Sequence, residues 1–394
     1  MAAKISRQFN KVVLLGAPTS AAAMSAGHEA APKALRAAGL ADALRKIGYE
    51  VNDLGDDGAS MFQQDDDSPR ARNVKRVVAS IEALKPRVEQ AVKTGALPII
   101  LTGDCSTVLA TVAGARRYYR TVNVVYLDRD ADLNVPATTP SGCVDGMVVS
   151  HLTGRGAPEL VRFWGEPQLV REPDVTLFGF HRLDAPEEKA LETSTLRHYS
   201  SADVKKRGAK AAAEHAVERL KVNKYEFILH LDVDVIDGFT ATNYPGTGGL
   251  TLEEVREAML VFAKQPQMAA LEIAAYNPAK DPDGTHAKAI INLVSEVLQA
   301  RHEVMKEIAA ATPPPAPKAS AKKEPVPAPA ASETPAAAEA PSDAGAPQNF
   351  TFEPVPGESW SSESLTDEEQ GETPSRDAES VEGDGETEPG EPRN

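Results

Sequence analysis

Residues 122–132 read VNVVYLDRDAD: an apolar, β-branched run from Val122 to Leu127 leads straight into Asp128, Asp130 and Asp132. Residues 227–234, FILHLDVD, repeat the pattern, with Phe227 to Leu231 ending in Asp232 and Asp234. A short apolar run with no polar alternation is the pattern of a strand buried on both faces, as in a parallel sheet covered by helices. Working outward, Lys11 to Leu15, Leu97 to Leu101, Val175 to Phe180 and Met268 to Ile273 are runs of the same kind. Helical spacing covers Pro32 to Ile47, Ser106 to Tyr118, Ala202 to Leu220, Leu252 to Ala263 and Thr285 to Ile308. Strands alternating with helices predict an α/β fold of three layers, with helices on both faces of a central parallel sheet. In such sheets ligands bind beyond the carboxyl ends of the strands. Gly103-Asp104-Cys105-Ser106, Asp128 to Asp132, and Asp232 with Asp234 all fall there.

On extended backbone, alternate residues share one face at steps of roughly 7 Å. Five carboxylates meeting in one crevice repel one another unless they are protonated or neutralised by a cation, so the spacing points to a divalent metal site of one or two ions. A single Asp-x-Asp-x-Asp reads more simply as a solvated acidic loop; two such sets at strand ends favour the metal. A calcium-binding EF-hand loop is excluded, because its sixth position is Leu133 instead of glycine and its twelfth is Thr139 instead of glutamate. Asp232-Val-Asp234-Val also matches the nucleophile strand of haloacid-dehalogenase-like phosphatases, but that alternative leaves Asp128 to Asp132 unexplained.

Taken in order, these motifs resemble those of the arginase, agmatinase and related ureohydrolase family. Its signatures Gly-Gly-Asp-His-Ser, Asp-Ala-His-x-Asp and Ser-x-Asp-x-Asp-x-x-Asp-Pro correspond here to residues 102–106 (TGDCS), 128–132 (DRDAD) and 230–238 (HLDVDVIDG). Gly16-Ala17-Pro18, Gly27 to Leu40, Gly179 to Asp184, Tyr244 to Thr251 and Asn277-Pro278 extend the likeness across most of the chain before residue 312. The resemblance implies an arginase-like fold over residues 8–311. It also implies manganese held by Asp128, Asp132, Asp232 and Asp234, with Asp130 and Cys105 standing where the family has ligand histidines. Asn134 and Ser141 match the pair that holds the substrate's amino-acid end, and Asp184 a further substrate-binding aspartate. Asp145 stands at the proton-shuttle histidine and Ala275 at the glutamate that grips the guanidinium.

The implied activity is hydrolysis of a guanidino or amidino C–N bond of a small substrate, in a homo-oligomer, a trimer or hexamer. The alternative is a family member that has lost turnover and acts as a binding or regulatory protein. Two departures bear on the choice. A fifth carboxylate, Asp130, overcompensates the charge of two divalent ions and makes them poorer Lewis acids. Without a carboxylate at Ala275, a guanidinium loses a charge-assisted hydrogen bond of roughly 1.5–3 kcal/mol. Cys105 reads equally as a soft metal ligand or as a small buried residue. His230, two residues before Asp232, faces the same way one step deeper, where a histidine is more often satisfied by a neighbouring carboxylate. His151 is expected to open a helix after Gly146.

Charge is unevenly spread. Residues 312–394 hold 15 of the 30 prolines and 18 acidic residues against five basic ones, which is −13 of the net −16. Such a Pro/Ala/Glu-rich segment buries too little apolar surface to offset its chain entropy and is expected to be a disordered acidic tail. The remainder is near neutral, and no basic cluster suggests nucleic acid. Two cysteines, no export-type apolar core at the N-terminus and no apolar run of about 18 residues predict a cytoplasmic protein that neither forms a disulfide framework nor enters a membrane.

Overall fold

The structure, a computed structural model, describes residues 5–311 apart from 167, 223 and 224. The chain divides into two units, Met1–Pro317 and Lys318–Asn394; the second, and with it the expected acidic tail, lies outside the described residues.

Eight strands form one parallel sheet: β1 (Lys11–Ala17), β2 (Glu50–Asp56), β3 (Leu97–Thr102), β4 (Val122–Leu127), β5 (Val175–Phe180), β6 (Arg197–Ser200), β7 (Glu226–Asp232) and β8 (Met268–Ala274). Their order is β2-β1-β3-β8-β7-β4-β5-β6, every neighbour paired in parallel. The six strands expected from apolar runs are present, and β3, β4, β5 and β8 are buried at every residue. Close packing there is costly to disturb: truncating a fully buried Ile100 or Leu229 to alanine would cost ~2–5 kcal/mol.

Not anticipated from the sequence are β2 and β6. They are the two edges, and β2 has no fully buried residue, so neither carries the continuous apolar signature that marks the interior. The helix Val74–Lys93 is a further addition; its buried face runs through Val77, Ile81, Leu84 and Val88 at three- and four-residue spacing, but Pro86 interrupts the sequence pattern. The expected helix over 202–220 is two helices, Ser201–Arg207 and Ala209–Val222, separated at Gly208, whose φ of +84° suits the residue without a Cβ. The stretch 32–47 likewise divides into Ala31–Ala37 and Leu40–Lys46. His151 does not open a helix: it is the fourth residue of the short helix Val148–Leu152 and is buried.

The topology explains where the chemistry gathers. β3 and β4 follow one another in sequence but stand on either side of β8 and β7, so the chain crosses the sheet between them. A crossover of this kind opens a crevice at the carboxyl ends of the central strands. The residues after β3, β4, β5 and β7 line it.

Candidate metal centre and ligand cleft

A cleft of about 320 Å³ lies at this edge, and its walls include Cys105, Asp128, Asp130, Asp132, Asn134, Ser141, Asp145, Asp184, Asp232 and Asp234. Every residue singled out as metal-binding, substrate-binding or catalytic is therefore in one place. A larger groove of about 690 Å³ beside β6, lined by Arg197, Lys206, Arg207 and Arg219 among others, contains none of them.

The carboxylates converge more tightly than extended strands would bring them. β7 ends at Asp232 and turns at once through Val233–Val235, where the Asp234 N–H donates to Asp232 Oδ1 at 2.7 Å. After β4, the Asp130 N–H donates to Asp128 Oδ1 at 2.7 Å, and Asp132 takes a left-handed conformation with φ +52°. A β-branched residue would resist that conformation; aspartate is among those that tolerate it. One carboxylate oxygen from each of Asp128, Asp232 and Asp234 lies within 4.8 Å of the others, and so does a second set of ligand atoms from Cys105, Asp128 and His230. The alternation expected for Asp128 to Asp132 and for Asp232 to Asp234 gives way to turns, which shorten the roughly 7 Å steps of a strand.

Burial without a counter-charge raises the carboxyl pKa. Asp128, Asp132 and Asp232 are held well above the usual carboxylate range, first by burial and then by one another and by Asp145 and Asp234. Asp145, at the end of the loop before Met147, is pushed up to about 8 by burial and by Asp104, although it accepts hydrogen bonds from the Cys105 N–H at 2.9 Å and Tyr244 Oη at 3.1 Å. The Cys105 thiol is raised by burial and by Asp232, to whose Oδ2 it donates at 3.0 Å. Tyr126 Oη donates to Asp132 Oδ2 at 2.6 Å.

Two arginines break this pattern. Arg129, with 3% of its surface exposed, places Nη2 3.4 Å from Asp234 Oδ2 and 2.6 Å from the Tyr244 carbonyl. Its backbone N–H also faces Asp234 Oδ1 at 3.4 Å. Gly246 makes room for it, since a Cβ there would stand 1.7 Å from Arg129 Nη1. Arg182 pairs with Asp130, and the two residues form an isolated parallel bridge. Asp234 is raised only to about 6, by burial and Asp130 against the opposing pull of Arg129. Arg182 and Arg129 likewise restrain the rise that burial imposes on Asp130.

Asn134, Ser141 and Asp184 also line the cleft. Asn134 Nδ2 donates to Asp184 Oδ2 at 3.0 Å, and Ser141 Oγ accepts the Cys143 N–H at 3.1 Å. Asp184 caps the helix Ala185–Thr193 and shares Glu187 with the Leu133 N–H. Ala275, after β8, is fully buried with φ +65° and brings no carboxylate. Sequence reasoning missed Arg129, Arg182, Glu187 and Tyr244. Arg129 stood inside the quoted motif, where its position between two aspartates was the available signal; Tyr244, Glu187 and Arg182 come from distant loops and carried none.

Whether divalent cations fit can be judged from the donors. Five buried acids and a thiol, several raised first by burial and then by one another, suit one cation on the Asp128 and Asp232 side. A second cation at Asp234 and Asp130 would have to compete with the guanidinium groups of Arg129 and Arg182, which stand against those two carboxylates.

Fold and cleft together define a parallel α/β protein with a carboxylate-lined site at its topological crossover. The Arginase family matches residues 10–299, and the chain belongs to that family. It is 30% identical to the arginase of Bacillus caldovelox over 291 residues, 73% of this chain and 97% of that protein. The solved B. caldovelox arginase superposes with a TM-score of 0.67 at 28% identity, covering 73% of this chain and 98% of the other. The arginase of Entamoeba histolytica in complex with L-ornithine superposes with a TM-score of 0.68 at 26% identity, covering 74% and 99%. Family membership removes the ground for a phosphatase reading of Asp232 and Asp234. Among the described residues, no helix is long and apolar enough to cross a membrane.

Proposed function

We propose that this chain is a non-ureolytic member of the arginase family that binds a small amino-acid-type ligand in the cleft, with a single divalent cation beside it. The observation that carries this reading is Arg129 on Asp234. The family resemblance implies a site that balances two divalent ions with four aspartates; a buried guanidinium fixed on one of the four leaves charge for fewer. When bound, divalent ions supply Lewis acidity and an activated water, and the surplus of carboxylate around Asp128 and Asp232 weakens both.

Asn134, Ser141 and Asp184 support the ligand. They line the cleft, with Asn134 Nδ2 bonded to Asp184 Oδ2 and Ser141 Oγ accepting the Cys143 N–H. Ala275 offers no anion to a guanidinium, so the far end of the ligand is held less strongly than in an arginase, by the roughly 1.5–3 kcal/mol of one charge-assisted hydrogen bond.

A second reading, a manganese-dependent hydrolase of a guanidino or amidino C–N bond, draws on Asp145. Its carboxyl, pushed up to about 8, keeps a proton near neutral pH beside Tyr244. Groups poised in this way serve as general acids. A urea-release assay on the purified protein with manganese, across arginine, agmatine and other guanidino compounds, decides between the two. The binding reading expects no metal-dependent urea but measurable heat of binding for an amino-acid ligand. Urea that appears with manganese and vanishes in Asp232→Ala would overturn it in favour of the hydrolase.

A further inference from the structure

The donor set inside the cleft is not uniform. Toward Asp234 and Asp130 every donor is a carboxylate oxygen, and two guanidinium groups stand against them. Toward the sheet the donors change character: Cys105 Sγ, an Asp128 oxygen and a ring nitrogen of His230 lie within 4.8 Å of one another, all buried. His230 is 0% exposed, and neither of its ring nitrogens has a hydrogen-bond partner. The ring is stacked on Tyr126, 4.4 Å between centroids and 5° from parallel, so it cannot turn away without losing that contact. Its Nδ1 stands 3.6 Å from Glu272 Oε1, too far for a hydrogen bond.

A fully buried imidazole with both nitrogens unpartnered is expensive, because each polar group has left water without replacement. A cation shared with Cys105 and Asp128 would satisfy one nitrogen. We infer that this chain holds one borderline-soft ion, zinc or cobalt in preference to manganese, through Cys105, Asp128 and His230.

The chemistry of the three donors carries the choice. Thiolate and imidazole suit zinc and cobalt, whereas manganese prefers carboxylate, carbonyl and water oxygens. A tetrahedral zinc spaces its ligand atoms roughly 3.5 Å apart, which the 4.8 Å cluster reaches with small side-chain adjustments. Asp232 Oδ2, 3.0 Å from Cys105 Sγ, is placed to complete the set. Glu272, anchored by Thr107 Oγ1 at 2.7 Å and Thr111 Oγ1 at 2.5 Å, stands beside the imidazole as the carboxylates behind metal-binding histidines usually do. Binding displaces the Cys105 thiol proton and any proton held on the ligating carboxylates, and these leave to solvent.

The inference rests on the single cation of the proposed function and names it, but it is indifferent to turnover, since a cation held here is compatible with either binding or hydrolysis. The test uses the full chain, stripped with a chelator and titrated with cobalt(II) while the near-ultraviolet spectrum is recorded. One equivalent should raise a thiolate-to-cobalt charge-transfer band, and zinc should displace the cobalt while manganese in about hundredfold excess should not. Cys105→Ser should abolish the band and weaken zinc binding by about tenfold or more, and His230→Gln should shift the visible cobalt bands. No cobalt uptake, or uptake without a sulfur band, would overturn the assignment. Because the unaltered protein gives the band, the outcome stands even if a variant fails to fold. Urea production would refute the proposed function and leave the band untouched.

Discussion

Arg129 Nη2 lies 3.4 Å from Asp234 Oδ2, with both side chains almost wholly buried. A cation covalently tied to the chain thus sits on one of the four aspartates that the family resemblance assigns to metal. Breaking such a pair by removing one partner typically costs ~3–5 kcal/mol, because a buried charge is left alone. In chelator, Arg129→Ala should therefore unfold at a lower temperature than the parent. Divalent metal should restore the loss, and the bound stoichiometry should rise from one ion toward two. Metal analysis after dialysis, paired with thermal unfolding, checks both. An unchanged stoichiometry would show that Arg129 does not occupy a cation's place.

Stability without metal should fall as pH rises. Asp145 has its carboxyl raised from the model-compound value of 3.8 to about 8, chiefly by burial and secondarily by Asp104. A carboxyl with a raised folded pKa prefers the fold while protonated. Its contribution is complete below pH 4 and is lost progressively until pH passes 8, at up to about 1.4 kcal/mol per pH unit for each proton released. Asp128, Asp132 and Asp232 move in the same direction. Thermal unfolding in chelator between pH 6 and 8.5 should show the decline, and a saturating divalent cation should flatten it. A melting temperature that rises over this window without metal would contradict the assigned charge state.

Much of this arrangement was legible in the sequence because the signals were local. The runs before Asp128 and Asp232 are strands buried on both faces, and such strands announce themselves by composition alone. The edge strands Glu50–Asp56 and Arg197–Ser200 are polar and half covered, so nothing in their composition separates them from loops. The same divide runs through the site. The aspartates, Cys105 and Asp145 could be placed from their motifs, but whether Arg129 points to solvent or lies across Asp234 depends on the carbonyl of Tyr244 and the bare Cα of Gly246, more than a hundred residues away. His230 shows the limit from the other side. Its direction followed from strand alternation, and a neighbouring carboxylate was the ordinary expectation; the structure supplies Glu272 at 3.6 Å, near but not bonded.

At acid pH a different pair of groups should dominate. His28 and His151 are buried, and burial lowers each to about 4; His28 Nε2 accepts the Asn243 N–H at 3.0 Å, which requires that nitrogen to be unprotonated. A histidine with a depressed folded pKa contributes stability above its ordinary value of 6.5 and loses it as pH falls through 4. His28→Gln should flatten the acid limb of the unfolding profile between pH 6.5 and 4 while leaving the alkaline limb unchanged. An acid limb identical to that of the parent would mean that His28 is already charged in the fold.

Restoring the family's side chains is the most demanding check on the role of Arg129. Cys105→His, Asp130→His, Asp145→His and Ala275→Glu together return the two ligand histidines, the proton-shuttle histidine and the guanidinium-gripping glutamate that the resemblance implies. Ala275 already holds a left-handed backbone, φ +65°, but it is fully buried, so the glutamate must also be accommodated by local repacking. If the guanidinium on Asp234 excludes a second cation, the fourfold variant should still release no urea from arginine with manganese. Adding Arg129→Ala should then bring urea above the background of an Asp232→Ala control, with a second equivalent of metal retained. Equal activity with and without Arg129→Ala would mean the cleft accommodates the guanidinium and both ions together, and the charge-replacement role given to Arg129 would be wrong.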